Sequence, residues 1–378
     1  MSTTLRRVAA CAAAAALAVL GLAAPAAPAV PATGTAPVTD PVTNLATNPG
    51  FEIPTLPLAD PGSVPGWTCG PAEAVLTTAA HAGSSALAVT PSAADSTGEC
   101  SQTVSVRPGS HYALSAWVRG SYVFLGATGT GHDDAPAWTA GTGDGWHRLT
   151  TGFTTGAGTT SVRLHLHGWY GQGAFAADDV ELTGAAPAPA VATWNVPTED
   201  RVVFLTVDDG WQPTDEAARL IADRRLPVTV FPLPMAAGNQ PGYFRRVTAA
   251  PGSSIQDHSV SHRDLSTLPA AEQQAEICDA RDAQVRRFGT APTVFRPPYL
   301  AWNADTLRAA AACGIRYVLT ATADFSWGRS TVYHGGALLP GDVVLLHFTD
   351  SLADDLRRAL DAAEAAGLRP AGLVDHLR

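Results

Sequence analysis

The chain has 378 residues, 46% hydrophobic and 15% charged, with 34 acidic residues against 24 basic ones, every one of them arginine, for a formal net charge of −10. That length accommodates two domains, and the composition is globular, neither collagen-like nor highly charged. The negative balance argues against nucleic acid or an anionic membrane as partner and fits a neutral substrate.

The N-terminus reads as an export signal, assigned to residues 1–29. Arg6 and Arg7 supply the charged region, residues 8–22 form an Ala/Leu-rich apolar stretch, and Ala24-Pro25-Ala26 and Ala27-Pro28-Ala29 offer small-residue cleavage sites. The apolar stretch is short for a membrane span, so no stable insertion is expected. A Pro/Ala/Thr-rich spacer follows over residues 30–42. Beyond the signal stand Cys69, Cys100, Cys278 and Cys313, and four cysteines in an exported chain permit three pairings. The most economical is Cys69–Cys100 with Cys278–Cys313, one bridge per domain. Neither pair has the spacing of a zinc finger.

Residues 43–184 have β texture: short alternating runs broken by Gly, Pro, Ser and Asp about every ten residues. Tyr112, Leu114, Ala116 and Val118 share one face; Leu164 and Leu166 face one way, and Arg163, His165, His167 and Trp169 the other. The pattern predicts a β-sandwich. Trp117 and Trp169 fall on the polar side of their strands, where an exposed aromatic ring can either stack on a sugar or pack beneath a loop. Residues 185–199 form an Ala/Pro-rich linker, expected to be extended and semi-rigid.

From residue 200 to 378 strands alternate with helices. Strands are expected over residues 202–207, 228–231, 254–256, 293–295, 316–320 and 343–346, and helices over 214–225, 270–288, 303–313 and 352–366. The last three helices are followed by Gly289, Gly314 and Gly367, as helix C-termini often are. The alternation predicts an α/β domain with a parallel sheet or barrel, whose site lies at the carboxyl ends of the strands.

Four motifs fall there: Thr206-Val207-Asp208-Asp209-Gly210, His258-Ser259-Val260-Ser261-His262, Arg296-Pro297-Pro298-Tyr299 and Leu345-Leu346-His347. Two adjacent carboxylates after an apolar run are costly to bury without a cation or hydrogen bonds. Two histidines four apart share one side of a helical turn, and with one carboxylate they make a hydrolytic zinc site or a non-haem iron site. Arg296 can hold a carboxylate bidentately. His347, ending an apolar strand, suits a general acid near neutral pH.

In order and spelling these motifs resemble the polysaccharide deacetylase family, the NodB-homology domain of carbohydrate esterase family 4, whose typical forms are TFDDG, H-[S/T]-x-x-H, R-x-P-Y and L-x-H. The resemblance covers residues 201–378. It implies a distorted (β/α) barrel and metal-dependent removal of N-acetyl, sometimes O-acetyl, groups from sugars. On the matching positions Asp209, His258 and His262 would bind one divalent metal, zinc first, with cobalt or nickel as alternatives. Asp208 would be the general base, Arg296 its clamp and His347 the general acid. Tyr299, through its backbone N–H, would stabilise the oxyanion. Leu345 would line the pocket for the acetyl methyl, and Trp327 would touch substrate. The chain also departs from the family. An Asp is usual directly before Trp327, where it tunes the acid histidine; here Ser326 stands there and Asp324 is two residues early, so either Asp324 substitutes as a catalytic carboxylate or the tuning is lost. Trp211 replaces a Pro, Asp257 an Asn, and Phe348 follows His347 where an acidic residue is common.

The opening Asn44–Glu52 stretch and the closing Phe175-Ala176-Ala177-Asp178-Asp179-Val180 resemble a carbohydrate-binding jelly roll of the family 4/9 type. In that family the two chain ends lie close and often share a structural calcium, for which Glu52 and Asp179 are the candidates. Together these readings describe a secreted, monomeric two-domain deacetylase acting on an N-acetylglucosamine polysaccharide such as chitin or peptidoglycan. The alternatives are an acetyl-xylan or other O-acetyl esterase, and a catalytically weak glycan-binding protein.

Overall fold

The computed structural model describes residues 44–377 other than 60–62 and 71. The export signal and first spacer lie outside the described residues. Among the described residues no helix is long and apolar enough to cross a membrane.

The N-terminal domain is built from two five-stranded antiparallel sheets. One has the order Thr68–Cys69, Cys100–Ser105, Ser161–His167, Val123–Thr128, Ala137–Thr139; the other Ala72–Thr77, Ala86–Pro91, Phe175–Gly184, His111–Arg119, His147–Thr154. Alternation along the strands makes their shared core. Tyr112, Leu114, Ala116 and Val118, with Leu87 and Val89 of the same sheet, meet Val104, Leu125, Leu164 and Leu166 of the other. The disulfide Cys69–Cys100 joins paired positions on two neighbouring strands.

The C-terminal domain is built on parallel strand pairings in two sheets, linked by an isolated bridge at Asp257. Val202–Asp209 lies between Val228–Pro232 and Val343–His347, and Ser254–Ile255 pairs outside Val228–Pro232. Asp257 bridges to Phe295, and Val294–Phe295 pairs with Tyr317–Leu319. From there the chain runs on to Ala323–Asp324, which pairs with Val343–His347. Strand alternation again sorts the side chains. Val203, Leu205 and Val207 pack outward in a cluster with Ala217 and Ile221 of the helix Asp215–Asp223 and Leu352 and Leu356 of Leu352–Ala365. Val202 and Phe204 turn inward onto Phe231, Val294, Leu319 and Val343. Further along that inward face the residues become Thr206 and Asp208, so the apolar interior ends in a polar mouth.

The helices start and stop on local chemistry. Thr214 caps the first by accepting the Ala217 N–H. Asn303 and Thr306 form a capping box ahead of Ala304–Ala312. Ala270–Phe288 ends at Gly289 with φ of 79°, a conformation that excludes most side chains. The second disulfide, Cys278–Cys313, ties this helix to Ala304–Ala312. One expectation changes. Part of the linker is not free, because Val191–Thr193 adds as a parallel strand along Tyr317–Leu319. An unpaired edge there would leave backbone groups unsatisfied.

The helix Ala270–Phe288 also carries the junction with the sandwich. Gln274 Nε2 donates to Thr47 Oγ1 at 2.8 Å, Arg281 Nη2 to the Thr103 carbonyl at 3.1 Å and Arg286 Nη1 to Thr68 Oγ1 at 2.9 Å. The Gly66 N–H donates to both carboxylate oxygens of Asp279, at 2.8 and 3.0 Å. Ile53 and Leu56 pack with Val260, Ala275 and Ala280 beside these bonds.

Burial pushes the Asp279 carboxyl up to about 8, against the opposing pull of the Gly66 amide and Arg286 and with help from Asp282 and Glu276. The folded chain therefore keeps a proton that the unfolded chain releases near 3.8, so this group's contribution to stability is lost as pH rises through that window. Asp279→Asn, which keeps an acceptor for Gly66, should gain thermal stability relative to the parent at pH 8 but not at pH 4. Equal differences at both pH values in thermal melts would contradict the assignment.

Candidate active site

The polar mouth of the C-terminal domain is organised by Arg296, the largest fully buried side chain among the described residues. Its Nη1 donates to both oxygens of Asp208, at 3.2 and 3.0 Å, its Nη2 to Thr206 Oγ1 at 3.1 Å and its Nε to the Leu319 carbonyl at 2.8 Å. Its carbon end lies over the Phe231 ring, 4.8 Å from the centroid. Asp208 is thereby a buried carboxylate with its counter-charge fixed. Ladder register sets it opposite His347 on one side and Phe231 on the other.

Strand alternation would turn Asp209 away from Asp208's side. Instead Asp209 has φ of 74° at the strand end, a cost of order 1–3 kcal/mol for a non-glycine residue. Its Oδ1 lies 3.3 Å from Nε2 of both His258 and His262, and one ligand atom from each of the three residues falls within 4.8 Å of the others. His258 Nδ1 is 2.7 Å from the Arg296 carbonyl, which only accepts, so Nδ1 carries the proton. In the neutral ring Nε2 then presents a lone pair to a carboxylate. Asp209 Oδ1 is itself buried without a hydrogen-bond partner. Lone pairs converging on an unsatisfied buried oxygen fit a divalent cation bound between them, with the carbonyl orienting the histidine from behind. Burial works against the charge of Asp209, yet His258, His262 and His347 outweigh it and hold its carboxyl low. His258 is shifted upward, its burial overcome by Asp208 and Asp209. His262 is shifted downward by burial and by His258.

The His258–His262 segment corrects the helical-turn expectation. It is an irregular loop with φ of 66° at Ser259 and 55° at His262. Asp257 is still ladder-paired with Phe295, so no helical turn has room to begin. The rings meet edge to face, 5.0 Å apart at 70°.

His347 ends its strand beside Asp208. Its Nδ1 lies 2.8 Å from Ser326 Oγ, and the Trp327 ring stacks on it at 4.4 Å. Asp324 does not reach the imidazole: its Oδ1 accepts the Ser326 N–H at 2.9 Å, shaping the turn that delivers the serine. The residue in the family's Asp position, not the nearby carboxylate, is thus the histidine's partner. Sequence reasoning missed Asp355, fully buried on the helix Leu352–Ala365, which accepts the N–H groups of Trp327 at 3.1 Å and Gly328 at 3.0 Å and holds that turn. The available signal was an Asp next to Leu356 on the apolar stripe of the helix.

Leu345 is buried on the inward face, two residues before His347 and opposite Thr206. Tyr299, with φ of 58°, sets its exposed ring edge-on to His262 at 4.9 Å. Trp211, Trp302 and Trp327 are also exposed and follow the motif residues closely in the chain.

In the sandwich Glu52 and Asp179, the candidates for a structural calcium, each have protein partners. Glu52 accepts the N–H groups of Ser84 and Ser85, Asp178 those of His81 and Ala82, and Asp179 Oδ2 lies 2.6 Å from His81 Nδ1. Trp117 lies under the His81 ring, 4.0 Å away and nearly parallel. Trp169 is exposed and joins rings that sequence reasoning had not grouped: Phe124 sits 5.4 Å from it, 4.8 Å from His167 and 5.8 Å from Trp138, and Tyr122 is 6.1 Å beyond Trp138.

A family model described as polysaccharide deacetylase matches residues 195–318, and one described as carbohydrate binding domain matches residues 43–174. A chitooligosaccharide deacetylase of Bradyrhizobium is 33% identical over 155 residues, 39% of this chain and 70% of that protein. The chain belongs to the polysaccharide deacetylase family. Another relative of this deacetylase-family chain, an uncharacterized protein of Streptomyces coelicolor, is 40% identical over 189 residues, 48% of this chain and 76% of its own length. Exochitinase 1 of Streptomyces olivaceoviridis is 48% identical over 141 residues, 37% of this chain but 22% of that protein. Among solved structures, the chitin deacetylase of Colletotrichum lindemuthianum aligns with 50% of this chain and 92% of its own, at 21% identity and a TM-score of 0.42.

Two outcomes follow from the geometry. Arg296→Ala leaves Asp208 buried without its counter-charge and should destabilise the fold by about 3–5 kcal/mol in urea titrations; a loss below about 1 kcal/mol would mean water reaches the pair. Ser326→Asp places a carboxylate on His347 Nδ1 and favours the imidazolium. It should move the alkaline limb of the pH–rate profile upward by on the order of 1 unit, whereas an unchanged limb would remove His347 as the titrating acid.

Proposed function

We propose that the protein is a secreted, monomeric, metal-dependent deacetylase hydrolysing N-acetyl groups of an N-acetylglucosamine polysaccharide. Its sandwich, residues 43–184, is read as a jelly roll that holds glycan. Residues 185–199 are read as the linker and 200–378 as a distorted (β/α) barrel. The observation that carries the reading is the buried Arg296–Asp208 pair beside the Asp209, His258 and His262 set, with His347 next to Asp208 in the ladder. The relatives named for chitooligosaccharide deacetylase and exochitinase support the substrate class, and the exposed aromatic groups of both domains suit sugar faces.

A divalent cation held by Asp209, His258 and His262, zinc or else cobalt or nickel, would supply Lewis acidity to the acetyl carbonyl and the attacking water. Asp208, held in place by Arg296, takes a proton from that water as it adds to the amide carbon. The Tyr299 backbone N–H is the proposed donor to the carbonyl oxygen as charge grows there. His347 gives its Nε2 proton to the amide nitrogen, the C–N bond breaks, and acetate and a free amine result. Ser326 Oγ occupies Nδ1 and Trp327 covers the ring, so Nε2 is the end free to deliver the proton. Leu345 is read as the wall against the acetyl methyl.

The test is acetate release by the zinc-loaded protein from N-acetylglucosamine oligomers and from acetylated xylan. The oligomers should yield acetate, and Asp208→Asn should lower the rate by about 100- to 10,000-fold. Release from xylan alone would replace this reading with an O-acetyl esterase. No release from either, with metal bound, would favour the glycan-binding protein.

A further inference from the structure

The segment between the two histidines has no regular structure to occupy its amides, yet Ser259 and Val260 are buried. Buried N–H groups without partners are costly. Here two carboxylates from outside the loop take them. Asp257 Oδ1 accepts the Ser259 N–H at 2.9 Å. Glu276 Oε2 accepts the Val260 N–H at 3.0 Å and the Ser261 N–H at 2.9 Å, while its Oε1 accepts the Ser261 hydroxyl. The Ser259 hydroxyl in turn accepts the His262 N–H at 3.2 Å. Every amide from Ser259 to His262 is thus held by a side chain.

Glu276 is fully buried in the middle of Ala270–Phe288. The cation facing it, Arg263, stands 3.9 Å away. Helix packing does not call for a carboxyl side chain there, since nearby Ala275 and Ala280 pack in an apolar cluster with Val260. A buried carboxylate is tolerated only where donors compensate it, and here all of those hydrogen bonds come from one loop. The helix is in turn fixed by Cys278–Cys313 and by its bonds to the sandwich, so the grip is rigid.

We propose that Glu276 is a positioning residue for the metal centre: by pinning Val260 and Ser261 it sets the separation and direction of His258 and His262, and with them the affinity for a divalent cation. The inference rests on the metal reading of the site. It is tested on the full chain by competition between the protein and a chromophoric chelator for zinc, with melting of the metal-free protein measured alongside. Glu276→Gln keeps size but turns an N–H₂ group toward donors. It should weaken zinc binding by about 10- to 100-fold, with Glu276→Asp recovering part of the loss and Ser261→Ala, which removes one of the three donors, weakening binding by less. Glu276→Gln binding zinc within twofold of the parent would overturn the proposal. Should that variant not fold, Ser261→Ala decides, and unchanged affinity there overturns it equally. His258→Ala separates the two readings: if the parent binds zinc no better than His258→Ala, the metal site itself fails and the inference goes with it.

Discussion

A guanidinium with no access to water organises the mouth of the C-terminal domain. Arg296 touches four strands of the domain: it begins where Val294–Phe295 ends, donates to Thr206 and Asp208 of Val202–Asp209, donates to Leu319 at the end of Tyr317–Leu319, and lies over Phe231. Thr206 Oγ1 passes the connection on by donating to the Val344 carbonyl at 2.8 Å. A buried charge of this kind is expensive, and an apolar core of equal volume is often as stable. What the pair supplies is a defined orientation. Asp208 stays aimed, and the Arg296 carbonyl simultaneously fixes the tautomer of His258. One residue thus orients the proposed base and one proposed metal ligand.

The regular elements were legible because periodicity and stop signals agree along the chain. Ala270–Phe288 matches the expected helix at both ends, and the other three differ by a residue or two where caps stand. The site was less legible, for reasons that are local. Spacing alone cannot tell a helical turn from a loop, and in His258–His262 the deciding facts are the Asp257–Phe295 bridge and two positive φ angles, neither visible as a pattern. Asp324 and Ser326 are two residues apart, and which one meets His347 depends on the turn held by Asp355 from a distant helix. The calcium expectation rested on carboxylates being present. Which amides and which histidine meet them depends on a loop brought back across the sheet. Carboxylates announce a charge in the sequence but not what answers it.

In the C-terminal domain most positive-φ non-glycine residues follow the same geography. Asp209, Ser259, His262, Tyr299, Leu300 and Trp327 all have positive φ and all belong to the motif loops at the mouth. Such conformations persist where surrounding contacts over-determine them, and the contacts here are identifiable: the Leu233 N–H on the Asp209 carbonyl, Ser259 on His262, and Asp355 on Trp327. The apolar interior beneath supplies the stability that these loops spend.

The strand Val191–Thr193 and the bonds from Ala270–Phe288 to Thr47, Gly66, Thr68 and Thr103 have a consequence for how the two domains share a surface. A module on a leash lets its catalyst graze anywhere within the leash's radius. A module bolted through a helix holds it at one offset, like a ruler laid against the polymer. If the sandwich seats on glycan as proposed, the acetyl groups within reach are those at a single distance from the seat. To reach others the whole molecule must lift off and land again, so its residence time on glycan, more than its reach, would set the pattern it leaves behind.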